Sequence, residues 1–482
     1  MIPFIYLFKS PNNCYFYDVN KDSVVSISDT LYAYLDSHKE IPVAPWETDE
    51  PDISDRETLR SLMQRGYLSD HRVKEIRHLH TADLKFQIEN RMSELLLQVT
   101  QSCNLVCSYC PYANKTDHMF QRNHSSKKMS WETAQQSIDL FADCSAELDH
   151  VALNFYGGEP FLNFGLIRQA VAYANKVFVG KRIDYSLTTN GTLLTDEIIK
   201  FLCSNHFSVL FSIDGPASVH DRNRKKSNGS GSYQEAVTNL KKLYSAYGEL
   251  ADEKLAVNSV INTETDYDEV LHLFDDPFFL ENHIRFSATV VSAEMLEKAP
   301  VPRDDFWQKF NYRHFIALMK ELGIVKDIQL DPISELFARV QLDRIRWHDA
   351  DSRPLGKAGA PGGPCIPGQR RLFVNADGDL YPCERINELA DDSKIGNIKT
   401  GIHLKRAERL LNIAQLTEQE CRNCFVFRHC TVCAAKASGE NGITVKHKLS
   451  KCAEVKKGFI NQIRLIALKQ EIDEHYKRYL PL

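Results

Sequence analysis

Through the middle of the chain, short apolar runs alternate with stretches of helical period. The runs are "LLLQVT" (95–100), "VALNFYGG" (151–158), "DYSLTTNG" (184–191), "FSVLFSIDG" (207–215), "LAVNSVI" (255–261) and "IRFSATV" (284–290). Between them, segments such as "SWETAQQSIDLFADC" and "YQEAVTNLKKLYSAY" space their apolar residues as one helix face does. Strands alternating with helices predict a parallel sheet with crossover helices, open or curled into a barrel. Near-continuous apolar strands suit a sheet covered on both faces.

The ends of the chain follow other patterns. "IPFIYLFK", "CYFYDVN" and "SVVSIS" read as short strands, separated by the turn-prone "SPNN" and "NKD". Helices follow at "SDTLYAYLDSHK" and "SDRETLRSLMQRG"; the second has a capping-box pattern, Ser54 with Glu57, and stops at Gly66. Residues 1–88 are thus expected to form a small α+β module with exposed strand edges, and 89–300 the α/β unit. A partly helical linking segment runs over 301–362 and ends in the loop "GKAGAPGGP". Residues 363–482 are cysteine-rich and close on the amphipathic helix "KKGFINQIRLIALKQEIDEHY".

Composition narrows the function. The 482 residues, 43% hydrophobic, can build several cores, since one core stops growing near 250–300 residues. A net charge of −5 leaves no electrostatic footprint for nucleic acid or an anionic membrane. No apolar run approaches the ~20 residues that span a bilayer. "MIPFIYLFK" lacks a basic leading region and a small-residue cleavage site, so it reads as a first strand and the expected location is cytoplasmic. Thirteen cysteines in such a chain point to metal rather than disulfides. Cys14, Cys144 and Cys203 stand alone and read as small buried apolar residues.

"SCNLVCSYCPY" groups Cys103, Cys107 and Cys110 directly after the first of the six central strands. A cubane iron–sulfur cluster takes one terminal thiolate per iron, so three thiols leave one iron for a ligand that is not protein. "GGEP" follows the second strand, "TNG" the third and "SIDG" the fourth; in parallel α/β barrels the chemistry collects at that carboxyl edge. This C-x3-C-x2-C arrangement resembles the radical SAM superfamily. The resemblance implies a partial (β/α)6 barrel and a cluster whose open iron is chelated by S-adenosylmethionine, cleaved to a 5′-deoxyadenosyl radical. It places Tyr109 near the adenine, and Gly157, Gly158 and Glu159 at the methionine amine. Ser212 matches a ribose contact and Arg224 a contact to the methionine carboxylate, which a guanidinium can pair bidentately; Arg224 could alternatively be one solvated charge of "RNRKK". Asn190 matches a ligand-edge position but suits a turn better.

Seven further cysteines are Cys365, Cys383, Cys421, Cys424, Cys430, Cys433 and Cys452, with four residues between Gly378 and Cys383. Their spacing resembles the SPASM domain of peptide-modifying radical SAM enzymes, which implies two auxiliary [4Fe–4S] clusters and three clusters overall. The family's interleaved pattern assigns Cys421, Cys424, Cys430 and Cys452 to one and Cys365, Cys383 and Cys433 to the other. Two residues separate Cys430 from Cys433 where the family usually has three. A family cysteine about six residues after the first is Arg371 here, which leaves the second cluster a thiol short. Paired structural zinc sites are the alternative reading of this cysteine run.

The N-terminal module resembles the winged-helix leader-recognition domains of peptide maturases, whose strand edges take an extended leader. Together these resemblances imply a maturase that joins a cysteine sulfur to carbon in a ribosomally made precursor peptide, with flavodoxin or ferredoxin as electron donor. Anaerobic formylglycine formation on a sulfatase and carbon–carbon cross-linking of peptides remain open. In the sulfatase maturases a carboxylate after the corresponding cysteine serves as base, and Glu384 holds that place. A non-catalytic iron–sulfur or zinc regulator is the rival of another class.

Overall fold

The computed structural model describes residues 2–39, 53–110, 124–291, 301–346, 355–439 and 441–476. Three antiparallel strands open it, β1 (Ile5–Lys9), β2 (Cys14–Asp18) and β3 (Ser23–Ile27), in the order β1-β2-β3. Strand alternation gives this small sheet two apolar faces. Phe16 and Ile27 meet Leu31, Leu35, Leu59 and Leu62 of helices Asp29–Ser37 and Ile53–Gln64. Phe8, Tyr15 and Tyr17 on the other face share a core with Val426, Phe427 and, from the C-terminal helix Cys452–Tyr476, Phe459 and Ile463. With both faces covered, β1 and β3 are the edge strands of this sheet among the described residues.

The Ser54–Glu57 pattern does not act as a capping box. The helix is already under way at Ile53, so Ser54 lies inside its first turn, and its carbonyl accepts from Thr58 Oγ1 at 3.0 Å. An N-cap must stand outside the helical conformation. The other end behaves as expected. Gly66, at φ +83°, donates to Met63 O and Tyr67 to Leu62 O, the paired bonds of a Schellman stop.

All six central strands form where expected: β4 (Glu94–Thr100), β5 (His150–Gly157), β6 (Arg182–Thr189), β7 (Ser208–Ser212), β8 (Leu255–Ile261) and β9 (Arg285–Val290). They pair in sequence order and all in parallel, so Leu95 lies beside Leu153 and Leu153 beside Tyr185. Leu95, Leu97, Leu153, Phe155 and Phe211 point outward into one core with Ile138, Phe141, Ile167 and Leu240 of the crossover helices. This is a central, mostly parallel α/β sheet.

The sheet does not stop at the expected boundary near residue 363. Strand β10 (Leu372–Val374) joins β4 in parallel, Leu372 against Leu95. Then β11 (Asp379–Tyr381), β12 (Gly396–Asn397) and β13 (Gly401–Ile402) continue it antiparallel, making ten strands in all. The cysteine-rich region is therefore hydrogen-bonded onto the first strand of the α/β unit. Among the described residues no helix is long and apolar enough to cross a membrane.

Candidate active site

Because β4 to β7 run parallel, the segments after them gather on one edge. The cysteine loop leaves β4 at Thr100 and is tied down on two sides. Towards β5, Gly158 N donates to Thr100 O and Glu159 N to Ser102 O. A Cβ on Gly157 would stand 2.0 Å from Thr100 O, and one on Gly158 2.1 Å from Ser102 O. These glycines admit the backbone of the cysteine loop itself. Towards the turn after helix Ala217–Asn223, Val106 N donates to Lys225 O and Ser108 N to Asn223 O.

Glu159 is 1% exposed and turned into this wall. It accepts from Thr189 Oγ1 at 2.8 Å, Asn190 N at 2.8 Å and Phe161 N at 3.3 Å, joining the "GGEP" and "TNG" segments. Burial, opposed by those bonds, pushes its pKa up to about 7. Asn190 shapes the turn: its Oδ1 accepts from Thr192 N at 3.0 Å, while Nδ2 donates to Asn104 Oδ1 at 2.9 Å and lies 3.9 Å from Cys103 Sγ. Ser212 ends β7 beside Asn258 and is buried.

Arg224 is not a solvated charge. It is buried, with Nε 3.1 Å from Asp214 Oδ1 and its guanidinium 5.4 Å from the Tyr109 ring centroid. Tyr109 OH donates to the other oxygen of Asp214, and Val260 N donates to Oδ1 at 3.1 Å. Burial alone would lower the Arg224 pKa; Asp214, Tyr109 and Cys107 together raise it above the ordinary value. Burial pushes the Cys103 thiol up to about 12 and Cys107 to about 11, with Arg224 opposing at Cys107. Asp214 was not singled out by sequence reasoning; its only signal was its place inside "SIDG".

In the second constellation Cys421, Cys424, Cys430 and Cys452 lie near one another, and Cys383 lies near Cys433. Burial pushes the Cys430 thiol up to about 11, and its neighbours Cys421 and Cys424 add to this. Cys424 is raised first by burial, then by Cys421 and Cys452. Cys383 is pushed up to about 12 by burial, then by Glu384, with Cys433 contributing. Cys365 is exposed, and Arg370 Nη1 lies 3.7 Å from its sulfur. Gly378 (φ +83°) turns the β10–β11 hairpin that carries Cys383. Gly362 (φ +66°) lies where a Cβ would stand 1.7 Å from Cys430 O. Arg371, where the resemblance leads one to expect a further cysteine, pairs instead with carboxylates: Nη1 donates to both oxygens of Glu384 at 2.8 Å, and Nε to Glu94 Oε1 at 2.7 Å.

The donor sets fit anionic clusters better than free thiols. Buried positive charge stands at two of the three sets, Arg224 beside Cys107 and Lys448 Nζ 3.3 Å from Cys421 Sγ. Among the described residues, no three cysteine, histidine or carboxylate groups converge as ligands of one ion would. The lone cysteines differ: Cys14 and Cys144 are buried, Cys203 half-buried, and the Cys14 thiol donates to Asp29 Oδ1 at 3.0 Å.

Residues 97–275 match the Radical SAM superfamily. The chain is similar to the serine-type anaerobic sulfatase-maturating enzyme of Bacteroides thetaiotaomicron, 25% identical over 74% of this chain and 83% of that protein. It is also similar to the radical SAM cyclopropyl synthase TigE of Paramaledivibacter caminithermalis, 27% identical over 75% of this chain and 70% of that one. Among solved structures, native anSMEcpe with bound AdoMet superposes with a TM-score of 0.55 at 22% identity, covering 78% of this chain and 99% of that one.

Proposed function

Since residues 97–275 are a radical SAM domain, we propose that the chain modifies a ribosomally made precursor peptide, joining a cysteine sulfur to carbon as a thioether. Cys103, Cys107 and Cys110 would hold one [4Fe–4S] cluster. The backbone of Gly157–Glu159, Ser212 and Arg224 would take the methionine amine, the ribose and the methionine carboxylate of S-adenosylmethionine, with Tyr109 near the adenine. Cluster and cosubstrate together supply a 5′-deoxyadenosyl radical when bound. The chain's own part is to orient and to exclude water. Asp214 holds Arg224 and Tyr109 in place, and Glu159 holds the rim together.

Thioether formation removes a hydrogen atom from carbon, a proton from the thiol and one electron. In this reading Glu384, next to Cys383 in the chain and paired with Arg371, would receive the proton. The observation that carries this reading is Arg371. It fills a position where a further thiol is expected and leaves Cys365, Cys383 and Cys433 one ligand short of a four-iron group, which a substrate cysteine would complete. The open edges of β1 and β3 suit an extended leader, and a flavodoxin or ferredoxin would deliver the electrons. Formylglycine formation is the second reading, favoured by the similarity to sulfatase maturases and by Glu384.

The test is anaerobic incubation of the reconstituted enzyme with S-adenosylmethionine, reductant and a short cysteine-containing peptide encoded beside it. A product that has lost two hydrogens and one alkylatable thiol supports thioether formation. A product that reacts with hydrazine as an aldehyde, thiols otherwise intact, points to formylglycine instead.

A further inference from the structure

Lys448 lies in helix Val445–Ser450, whose N-terminus is capped by Thr444. It is 2% exposed. Its Nζ donates to Thr417 Oγ1 at 2.5 Å and to Cys421 Sγ at 3.3 Å, while Thr417 Oγ1 itself stands 3.3 Å from that sulfur. Its carbonyl accepts from the Cys452 thiol at 3.9 Å, so one residue touches two of the four grouped cysteines. The same cysteine-rich region carries a small apolar core of Ile413, Val432 and Ala437 with Cys430 and Val455 packed on it.

Among the described residues no carboxylate lies within ion-pair distance of this ammonium. Burying a charge without a counter-charge costs several kcal/mol, and a threonine hydroxyl is a weak offset. Arg224 beside Cys107 is different, because Asp214 stands against it. The negative charge that Lys448 lacks is what a thiolate-ligated iron–sulfur cluster would bring.

We infer that Lys448 sets the reduction potential of the cluster held by Cys421, Cys424, Cys430 and Cys452. The inference rests on reading those four cysteines as cluster ligands. Reduction adds one electron to an already anionic group, and a fixed cation in a low-dielectric pocket stabilises the more negative state. A hydrogen bond to a ligand sulfur acts in the same direction. Lys448 thus holds this cluster easier to reduce than one buried among neutral groups, fitting it to receive an electron rather than to donate one. It is a positioning residue for charge and touches no substrate.

The experiment uses the full chain carrying Cys103→Ala, Cys107→Ala and Cys110→Ala, so that only C-terminal clusters remain. Iron and sulfide are assayed, then the potential is read by EPR-monitored titration. Lys448→Met should shift the reduction equilibrium of one cluster at least tenfold, 59 mV more negative for a one-electron couple. Lys448→Arg should stay near the parent value, and the cluster assigned to Cys365, Cys383 and Cys433 should not move. Lys448→Gln supplies a neutral donor should the methionine variant fail to hold iron. An unchanged potential in either neutral variant with iron retained overturns the inference. Loss of iron from both neutral variants also overturns it, since the charge would then serve assembly. A triple-alanine parent without iron overturns the four-cysteine reading itself, before any lysine variant is made.

Discussion

Glu159 and Asp214 are both buried carboxylates, yet their surroundings differ in kind. Asp214 faces a cation, and Glu159 faces only neutral donors. Asp214→Asn would strand Arg224 without a counter-charge, a loss of about 3–5 kcal/mol. Urea unfolding of the cluster-free protein should show it, with weaker S-adenosylmethionine binding in the loaded one. For Glu159, the folded pKa of about 7 lies above the ordinary 4.5. The folded state therefore holds its proton more tightly, and stability is fully present below pH 4.5. It is lost as pH rises through 7, on the order of 3 kcal/mol in total. Glu159→Gln should flatten melting temperature against pH across that window; an unchanged slope would place the titration elsewhere. The sequence made both residues visible as motif members. It could not say which way they point, because direction depends on partners far along the chain, Asn190 and Val260.

Elements were the most legible level. All six central strands and the Gly66 stop follow from local pattern, since strand period and a left-handed glycine are properties of a few adjacent residues. The capping box failed because "SDRE" also fits the first turn of a helix that starts a residue earlier. The use of "GGEP" was hidden too: its glycines face Thr100 and Ser102, contacts of long sequence separation. Gly158→Ala forces the backbone at Ser102 to move, so the variant should lose about one cluster's worth of iron while keeping the rest. The N-terminal module reads from sequence as independent, yet Tyr15 and Tyr17 share a core with Phe459. At ~1.5–3 kcal/mol for each large apolar side chain re-exposed, deleting residues 1–88 should lower the melting temperature of the whole chain. A truncated chain that melts like the parent would show the interface to be incidental.

For the whole molecule, replacing Cys103, Cys107 and Cys110 with alanine should abolish 5′-deoxyadenosine formation and leave iron at the C-terminal cysteines. Deoxyadenosine above background in that variant would remove the triad from the chemistry. What no local pattern could foretell is the ten-stranded sheet. Leu372 beside Leu95 is a pairing of residues hundreds of positions apart, and it puts the hairpin of Cys383 next to the strand that feeds Cys103. The consequence is a ruler. Neighbouring strands sit 4.7–4.9 Å apart whatever their side chains, so the span from the radical's origin to the cysteine-rich end is graduated in strands. Insertions in the intervening linker leave that span untouched. Only a slip in pairing changes it, and a slip of one residue would turn Leu372 and Val374 away from the face they now share, exchanging them with Phe373. A lineage can thus redraw its loops while the working distance stays inherited, fixed by backbone alone.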